Sequence, residues 1–433
     1  MTDGIDIKKY KTMKKMNSSQ PIVRGLLLGG VLLGGAAASL AQDTNTLAQE
    51  NSDLKARVLA LEELAQKEGL MPSGTPPPKL VSAVTDMTIS GFVQASYFSN
   101  TKGTGSGDNA GYLWNTKNNN IYLNKVKITL ASPPAERSAT DWTAGYRVSI
   151  MQGQDAPVLN TGSGTGNNVL REAYVDMNVP IGTGLNIKAG QLISLLNWES
   201  GDGGAANPNF SQGYQWFYTG DGPEAGIQLD YAFTDWLDVK FRIEDGLYGG
   251  SEDHASGKGF MGTVNLTPTK DFWINLIGFG GSSGSAGQDV NGGSTIGGYQ
   301  ITSQLGTGFE FDYFDFLPDD AKSSQLWSIG GWVWYDFTSQ LGLAFRAEYL
   351  DDQDGDEING VELPSYGAGS AISTLDPSQT SGGLESFTLT FNFKPTKNLK
   401  IQPEVRYNHT SYNGGFNGKD EQVIIGAGAS YLF

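Results

Sequence analysis

Several segments of the sequence place charged side chains at every second position, with apolar residues between them. In residues 239–244, for example, Lys240, Arg242 and Glu244 alternate with aliphatic and aromatic side chains. Alternate residues of a β-strand project from the same face, so each segment predicts one charged face and one apolar face. The chemistry of such a face is electrostatic attraction and repulsion of ions and polar solutes. The candidate residues are Lys125, Lys127, Arg147, Glu172, Asp176, Lys188, Lys240, Arg242, Glu244, Glu310, Asp312, Arg346, Glu348, Lys400, Glu404 and Arg406.

Catalytic and cofactor chemistry has little basis in the sequence. The chain lacks cysteine, which excludes thiolate nucleophiles, disulfides and iron–sulfur clusters. A serine-type triad needs a positioned histidine, and the two histidines, His254 and His409, lie in no recognisable nucleophile motif. We therefore expect neither enzymatic activity nor a cofactor. A formal net charge of -17 over 433 residues argues against nucleic acid as a partner.

An acidic run at residues 351–357 contains the only metal candidates. Asp352, Asp354 and Asp356 could supply oxygen ligands to Ca²⁺. An EF-hand loop that began at Asp352 would need Gly at its sixth position and Glu at its twelfth, where Glu357 and Leu363 stand. A solvated acidic loop is therefore the favoured interpretation, with Ca²⁺ binding as the alternative.

The charged segments belong to a long region, residues 81–433, of strand-like alternation. A period of two predicts a sheet with one apolar face, which fits either a secreted sandwich or a transmembrane barrel. Segment lengths near the ~10 residues of a tilted membrane strand favour the barrel. Aromatic residues near segment ends favour it too. These residues are Trp142, Trp236, Trp273, Tyr335, Tyr349 and Phe433.

A local repeat sets the predicted number of strands. A first count gives fifteen segments, whereas bacterial single-chain barrels have even numbers. The stretch Thr-Ser-Gln-Leu-Gly occurs at residues 302–306 and again at 338–342, and reading both as tight turns divides residues 294–316 into two strands. The sequence thus predicts an all-β antiparallel barrel of about 16 strands. Counts of 14 to 18 stay open because segments 185–192 and 294–301 are short and weakly patterned.

The N-terminal region predicts export. A basic stretch, the apolar run 26–33 and the small residues up to Ala41 form a signal peptide over residues 1–41. The apolar run is shorter than the ~20 residues of a spanning helix. Translation could also start at Met13 or Met16. Residues 69–84 read as a Pro-rich linker, and residues 85–433 as the barrel domain.

Between the signal and the linker, residues 42–68 predict a short coiled-coil helix. Leu47, Leu54 and Leu61 are seven residues apart, and Asn51 occupies a companion position. A leucine seam with one polar Asn is typical of a coiled coil that sets its register and strand number. Three heptads are marginal, so a lone amphipathic helix is the alternative.

The barrel region resembles the OmpL-like family of bacterial outer-membrane β-barrel porins. The resemblance rests on Ile89-Ser-Gly-Phe-Val-Gln-Ala-Ser-Tyr97, Arg171-Glu-Ala-Tyr-Val175, Lys188-Ala-Gly-Gln191, Pro223-Glu-Ala-Gly226, Phe345-Arg-Ala-Glu-Tyr-Leu-Asp351 and Tyr431-Leu-Phe433. It implies a homotrimer in outer-membrane lipid, for which the leucine seam is a candidate contact, with the N-terminal coiled coil in the periplasm. It also implies that the barrel-assembly machinery reads the last strand, which ends in Phe433.

The resemblance implies further that the third outer loop folds inward and narrows the channel. That loop is residues 193–224, and an external cap that contacts neighbouring subunits is the alternative. Its candidate constriction residues are Asn197, Trp198, Glu199, Asp202, Trp216, Asp221 and Glu224.

A pore for small hydrophilic solutes and ions is the expected function. Both signs of charge are present among the candidate lining residues, whereas a phosphate-selective pore would need a dominant basic ladder. Individual charges could equally form structural pairs that brace the wall. Most of the negative charge lies in the predicted outer loops, so we expect a mild cation preference. The alternative function is a structural or adhesive anchor without significant transport.

Overall fold

The computed structural model describes residues 55–58, 87–101, 109, 111, 115–160, 169–220, 222–247, 257–284, 288–319, 321–359 and 372–433. Residues 55–58 are helical. The predicted signal peptide, the leucine seam of Leu47, Leu54 and Leu61, and the Pro-rich linker lie outside the described residues. Within those ranges, no helix is long and apolar enough to cross a membrane.

Sixteen antiparallel strands, each hydrogen-bonded to its neighbours in sequence, form a barrel that closes where β1 pairs with β16. The first eight are β1 (Thr88–Asn100), β2 (Asn120–Ala131), β3 (Thr143–Gln152), β4 (Leu170–Val179), β5 (Leu185–Leu192), β6 (Glu224–Thr234), β7 (Leu237–Glu244) and β8 (Gly259–Thr269). The last eight are β9 (Phe272–Ser282), β10 (Gln288–Gln300), β11 (Leu305–Pro318), β12 (Ser324–Asp336), β13 (Leu341–Asp352), β14 (Gly382–Phe393), β15 (Leu399–Thr410) and β16 (Glu421–Leu432). The predicted fold class and the count of sixteen are confirmed.

The period-two pattern of each strand sorts its residues between the two faces of the barrel. In β14, Phe387, Leu389 and Phe391 are about 40% exposed, whereas Ser386 and Thr388 between them are fully buried. Exposed apolar residues belong on the outside of a barrel that faces lipid, and the alternate positions face the interior. The core of this protein is therefore the inside of the barrel.

Most connections are short at one end of the barrel and longer at the other. The two predicted Thr-Ser-Gln-Leu turns are identical in geometry, because Thr302 N and Thr338 N each donate to the leucine carbonyl three residues ahead at 3.1 Å. Each threonine Oγ1 in turn accepts from that leucine's amide at 3.0 Å. Both chain ends of the barrel lie at this short-turn end.

One strand begins earlier than the sequence indicates. β10 starts at Gln288, whereas the alternation predicts a start at residue 294. Its first half contains Asn291, Gly292 and Gly293, which give no apolar alternation. The strand forms there because backbone groups of β9 and β11 pair with it on both sides.

Candidate functional site

The longest described connection, the third loop at residues 193–223, enters the barrel and lies against its inner wall. It contains a short 3₁₀ turn (Gly203–Ala205) and the helix α2 (Tyr214–Tyr218); a further short helix, α1 (Ala156–Leu159), lies in the preceding loop. The amide of Phe210 donates to Glu404 Oε2 at 2.8 Å, and Lys400 Nζ donates to the carbonyl of Gly204 at 2.9 Å. Both wall residues lie on β15, so the tip of the loop reaches the far side of the sheet.

Glu199 is the centre of the contact between the loop and β13. Its Oε1 accepts from Arg346 Nη1 at 2.7 Å and from Trp332 Nε1 at 3.1 Å, and its Oε2 accepts from the amide of Gly213 at 2.7 Å. Arg346 also lies 2.9 Å from Glu348 and is fully buried. The arginine thus lies between a carboxylate of the loop and a carboxylate of the wall, which balances its charge away from water.

Next to Glu199, Trp198 stacks on Trp332 of β12 with ring centroids 4.6 Å apart. The wall makes room for it at Gly308, where an added Cβ would lie 2.2 Å from the Trp198 indole. The amide of Trp198 donates to Glu310 Oε2 at 2.6 Å, and Asn197 Nδ2 donates to Glu310 Oε1 at 3.1 Å. Aromatic packing and hydrogen bonds to a carboxylate together fix this part of the loop.

Helix α2 holds the loop against β11 and β12. Gln215 Nε2 donates to Asp312 Oδ2 and to Ser328 Oγ, both at 2.9 Å, and Thr219 Oγ1 donates to Asp312 Oδ2 at 2.7 Å. The amide of Gln215 donates to Glu348 at 3.0 Å. Every donor here belongs to the loop, and the carboxylate acceptors belong to the wall.

On the opposite flank, two lysines of β2 bind the loop. Lys127 Nζ lies 2.9 Å from Asp202. Lys125 Nζ donates to the carbonyl of Gly201 at 3.1 Å and lies 3.9 Å from Asp155. The loop therefore spans from β2 to β11 by way of the barrel seam.

The loop tip packs at that seam, where β1 meets β16. Phe210 stacks on Phe98 of β1 with centroids 5.7 Å apart. An added Cβ at Gly428 of β16 would lie within 2 Å of the Phe210 ring. A glycine is thus required under the ring for a steric reason.

All sixteen predicted wall residues lie at inner-face positions of the barrel. Ten of them contact the third loop, and this set is Lys125, Lys127, Arg242, Glu310, Asp312, Arg346, Glu348, Lys400, Glu404 and Arg406. The other six are Arg147, Glu172, Asp176, Lys188, Lys240 and Glu244. They lie on β3–β7 and contact one another or nearby strands.

The wall of β3–β7 carries pairs of opposite charge. Arg147 donates to Glu172 at 2.7 Å, and Arg242 lies 3.5 Å from Glu244. Lys188 Nζ lies 5.0 Å from the ring centroid of Tyr174. Arg147 keeps about a third of its side chain exposed, 31%. Its partner Glu172 is buried, as are Arg242 and Glu244, so the charge that this pair presents to solvent is that of Arg147.

Of the seven predicted loop residues, Asn197, Trp198, Glu199 and Asp202 make the contacts described above. Trp216 is partly buried and packs against the buried group that includes Met151 and Leu159. Glu224 is the first residue of β6 and is buried. Asp221 lies outside the described residues.

Comparison with known families matches the barrel to a single family model. Residues 86–433 match the family described as "Putative beta-barrel porin-2, OmpL-like". The chain belongs to this porin family. No curated protein matches the sequence of the chain.

Solved porin structures share the fold at low sequence identity. OprB of Pseudomonas putida, solved at high pH, has a TM-score of 0.54 at 11% identity, and the match covers 82% of this chain and 96% of OprB. The anion-selective porin of Comamonas acidovorans has a TM-score of 0.50 at 11% identity, with coverage of 80% and 99%. OmpT of Vibrio cholerae, folded in vitro and described as a trimer form, has a TM-score of 0.51 at 11% identity, with coverage of 80% and 99%.

Sequence reasoning missed several residues that bind the loop of this porin. Trp332 receives the stacking of Trp198, and Phe210, Ser211 and Gln215 carry much of the loop's docking. A signal was present for Trp332, because it alternates with the outward-facing Ile329 and Val333 and so belongs to the inner face. The loop's uncharged residues gave no such signal.

The porin interior is also apolar on one side. Inner-face residues of β8–β14 join the loop residues Leu195, Leu196 and Trp198 in one buried group. The wall members of this group are Met261, Ile277, Phe279, Val290, Ile296, Phe314, Phe316, Leu326, Trp332, Leu350 and Leu384. On these strands the apolar residues share the inner face with polar residues that bind the loop, such as Glu310, Arg346 and Glu348.

The acidic run after β13 uses its carboxylates within the protein. Asp352 accepts from the amides of Gly355 and Ile358 and from Tyr412 Oη at 2.8 to 2.9 Å, and Asp354 lies 2.5 Å from Lys322. Burial raises the pKa of Glu357 to about 7. Within the described residues, no group of three or more potential ligands is arranged to hold a metal ion.

Proposed function

We propose that this porin forms a water-filled channel for passive diffusion of small hydrophilic solutes and ions. The observation that carries the proposal is the closed sixteen-strand barrel with an apolar outer face and charged residues of both signs inside. A barrel of sixteen strands is wide enough to leave an aqueous channel, whereas one of eight is filled by its own side chains. The mixed charges support polar solutes of either sign.

The position of the third loop supports a channel displaced to one side. The loop covers the inner wall from β11 through the seam to β2, and its apolar contacts extend to β8. We infer that solutes pass between the loop and the wall of β3–β7, where Lys188 and the pair of Arg147 and Glu172 lie. The loop residues Asn197, Trp198, Glu199, Asp202, Trp216 and Asp221, together with Glu224 at the start of β6, are the proposed constriction.

We place the barrel in the outer membrane, with the short turns and the N-terminal coiled coil in the periplasm. The long loops would then face outward, and they carry most of the excess negative charge of the chain. An acidic entrance concentrates cations locally. We therefore propose a mild cation preference that weakens with added salt, because exposed charges are screened within about 10 Å at 0.1 M ionic strength.

The outer face supports assembly of the barrel as a homotrimer. Between β7 and β14 many exposed positions are phenylalanines, including Phe241, Phe309, Phe345 and Phe387. Among described strands β16 and β1–β5, the exposed large apolar residues are aliphatic or tyrosine, and β16 adds small residues such as Ala427. Small and aliphatic side chains allow barrel walls to approach closely. We propose that this face and the Leu47, Leu54 and Leu61 seam form the contact between subunits.

Enzymatic activity is not part of the proposal. His409 lies on the outer face of β15, 3.8 Å from Glu385, with 39% of its side chain exposed. This pair therefore lies outside the barrel interior, through which a polar substrate would pass. We expect His409→Ala to leave the function of the protein unchanged.

Conductance of the purified, folded porin in a planar lipid bilayer tests the proposed function. We expect discrete channel openings, and under a salt gradient a reversal potential of the sign that indicates cation preference. A reversal potential of the opposite sign at low salt would contradict the cation preference alone. Folded protein without conductance would instead support the second candidate, an anchor for outer loops and coiled coil. The third loop fills part of the barrel, and this observation favours the anchor as second candidate.

A further inference from the structure

One periplasmic connection differs from all other described connections at its end of the barrel. The segment between β2 and β3, residues 132–142, is longer than the turns at 180–184, 235–236, 270–271, 301–304, 337–340 and 394–398. It begins with Ser132, Pro133 and Pro134. Prolines restrict the backbone, so the segment leaves β2 in a defined direction. We call it the mouth segment.

The mouth segment turns inward and crosses the inner face of β3 and β4. Gly145 of β3 occupies an inner-face position, and an added Cβ there would lie 2.5 Å from the carbonyl oxygen of Pro133. The amide of Ala135 donates to Asp176 Oδ2 of β4 at 3.1 Å. Asn178 Nδ2 donates to the carbonyls of Ser138 and Asp141 at 3.0 and 2.8 Å. These contacts fix the backbone of the segment inside the periplasmic mouth.

The segment also places a charge next to β6. Arg137 Nη2 lies 2.6 Å from Asp230 Oδ1 on β6, and Asp230 Oδ2 lies 3.9 Å from Lys240 on β7. About a third of the Arg137 side chain is exposed, 31%, compared with 13% for Asp230. The guanidinium group is therefore held in place and still meets solvent.

The mouth segment and the third loop occupy different parts of the inner wall. Apart from contacts near its ends, such as that of Ile193 with Arg242 of β7, the loop binds β11 through β2, whereas the mouth segment binds β3, β4 and β6. Its contacts lie on the part of the wall that the third loop leaves free. Solutes that pass beside the loop would next meet Arg137 and Asp230.

We propose that the mouth segment is a second constriction of the channel, and that Arg137 and Asp230 set its charge preference. The proposal rests on the diffusion function stated above. In a water-filled opening, a fixed and partly exposed charge such as that of Arg137 attracts or repels passing ions. Asp230 holds Arg137 at this position, and Lys240 lies next to Asp230.

Charge reversal at Arg137 tests the proposal in bilayer recordings at low salt. We expect Arg137→Glu to raise the ratio of cation to anion permeability by about two-fold or more, and the effect to shrink as added salt screens the charge. The double variant R137D/D230R restores both the pair and the local net charge, so its permeability ratio should return to that of the natural protein.

A matched control is available at the same end of the barrel. Lys270 lies in the turn between β8 and β9 with 88% of its side chain exposed. Lys270→Glu makes the same change in charge, and we expect it to leave the permeability ratio unchanged. Equal effects of the two reversals would overturn the proposal, because they would reflect net charge rather than position. An unchanged ratio in Arg137→Glu would overturn it as well.

Thiol labelling gives a second measurement that does not depend on the ion pair. Since the chain lacks cysteine, Ala139→Cys and Lys270→Cys each introduce a single reactive site. A bulky charged thiol reagent should lower the conductance of the first variant and leave the second unchanged. If labelled Ala139→Cys conducts as before, the segment does not narrow the path and the proposal fails. If the natural protein itself has no conductance, the proposed function fails with it.

Discussion

Replacing Glu199 by glutamine should release the third loop from the wall of the barrel. The carboxylate accepts hydrogen bonds from Arg346, Trp332 and the amide of Gly213. A glutamine of the same shape has one oxygen and one NH₂ group. Whichever way it is oriented, its NH₂ group faces a donor, and Arg346 loses one of its two carboxylate partners.

The size of this effect follows from the burial of the site. Arg346 and Glu199 are at most 1% exposed. Removing one partner of a buried ion pair costs about 3–5 kcal/mol, and a hydrogen bond to a charged group contributes about 1.5–3 kcal/mol. Because Glu348 still neutralises Arg346, we expect the lower end of the first range. A loss of about 3 kcal/mol shifts the equilibrium between docked and released loop by roughly 100-fold, since about 1.4 kcal/mol corresponds to a factor of ten.

Single-channel recording of Glu199→Gln measures this release. A loop that leaves the wall for part of the time should give a higher mean conductance and larger fluctuations of the open-channel current. Glu385→Gln is a control with the same chemical change on the outer face, where the carboxylate has 44% of its side chain exposed. Circular dichroism establishes that both variants are folded. Glu199→Gln with the current amplitude and noise of the natural protein would refute the role assigned to this carboxylate.

Two further predictions concern the tip of the third loop and the acidic run after β13. Gly428→Val should displace Phe210 and cost about 1.5–3 kcal/mol of loop docking, measured as increased current noise; Gly262→Val, with open space around its Cβ, should have no effect. Burial raises the pKa of Glu357 to about 7 from 4.5, so the folded loop binds the proton more tightly than the unfolded chain. The stability that this proton gives is complete below the unfolded pKa and is lost as pH rises through about 7. Amide hydrogen exchange at residues 353–359 should therefore report more opening of this segment at pH 8 than at pH 5, beyond the intrinsic change in exchange rate with pH. Glu357→Gln should remove that difference. A difference that persists in this variant would exclude Glu357 as its source.

The strands of this protein can be predicted from the sequence because each strand faces lipid on one side and the barrel interior on the other. Lipid selects apolar residues at positions such as Phe387 and Leu389, and the interior selects polar ones such as Thr388. The repeated turns at Thr302 and Thr338 also allow the strands to be counted from the sequence. In each turn the threonine side chain accepts a hydrogen bond from the leucine amide three residues ahead, so the turn depends on local residues alone. β10 was predicted too short because its first residues are small or polar on both faces.

The contacts inside the barrel could not be predicted to the same degree. Glu199 meets Arg346, and Phe210 meets Gly428, across long sequence separations that alternation does not encode. The inward course of residues 132–142 was also missed. The length of this connection and its two prolines were visible in the sequence, but the acceptor for Arg137 lies three strands away on β6. Which loop residue meets which wall residue depends on the closed barrel and on its register.

The position of Phe210 at the junction of β1 and β16 links channel assembly to loop placement. The aromatic ring rests on Phe98 from the first strand and above Gly428 from the last, so its binding surface is incomplete until these two strands have paired. A folding intermediate that lacks this pairing has no surface on which the tip can come to rest. The final conformation of the third loop is therefore a late event in folding, and a spectroscopic probe at the loop tip would report when the barrel closes.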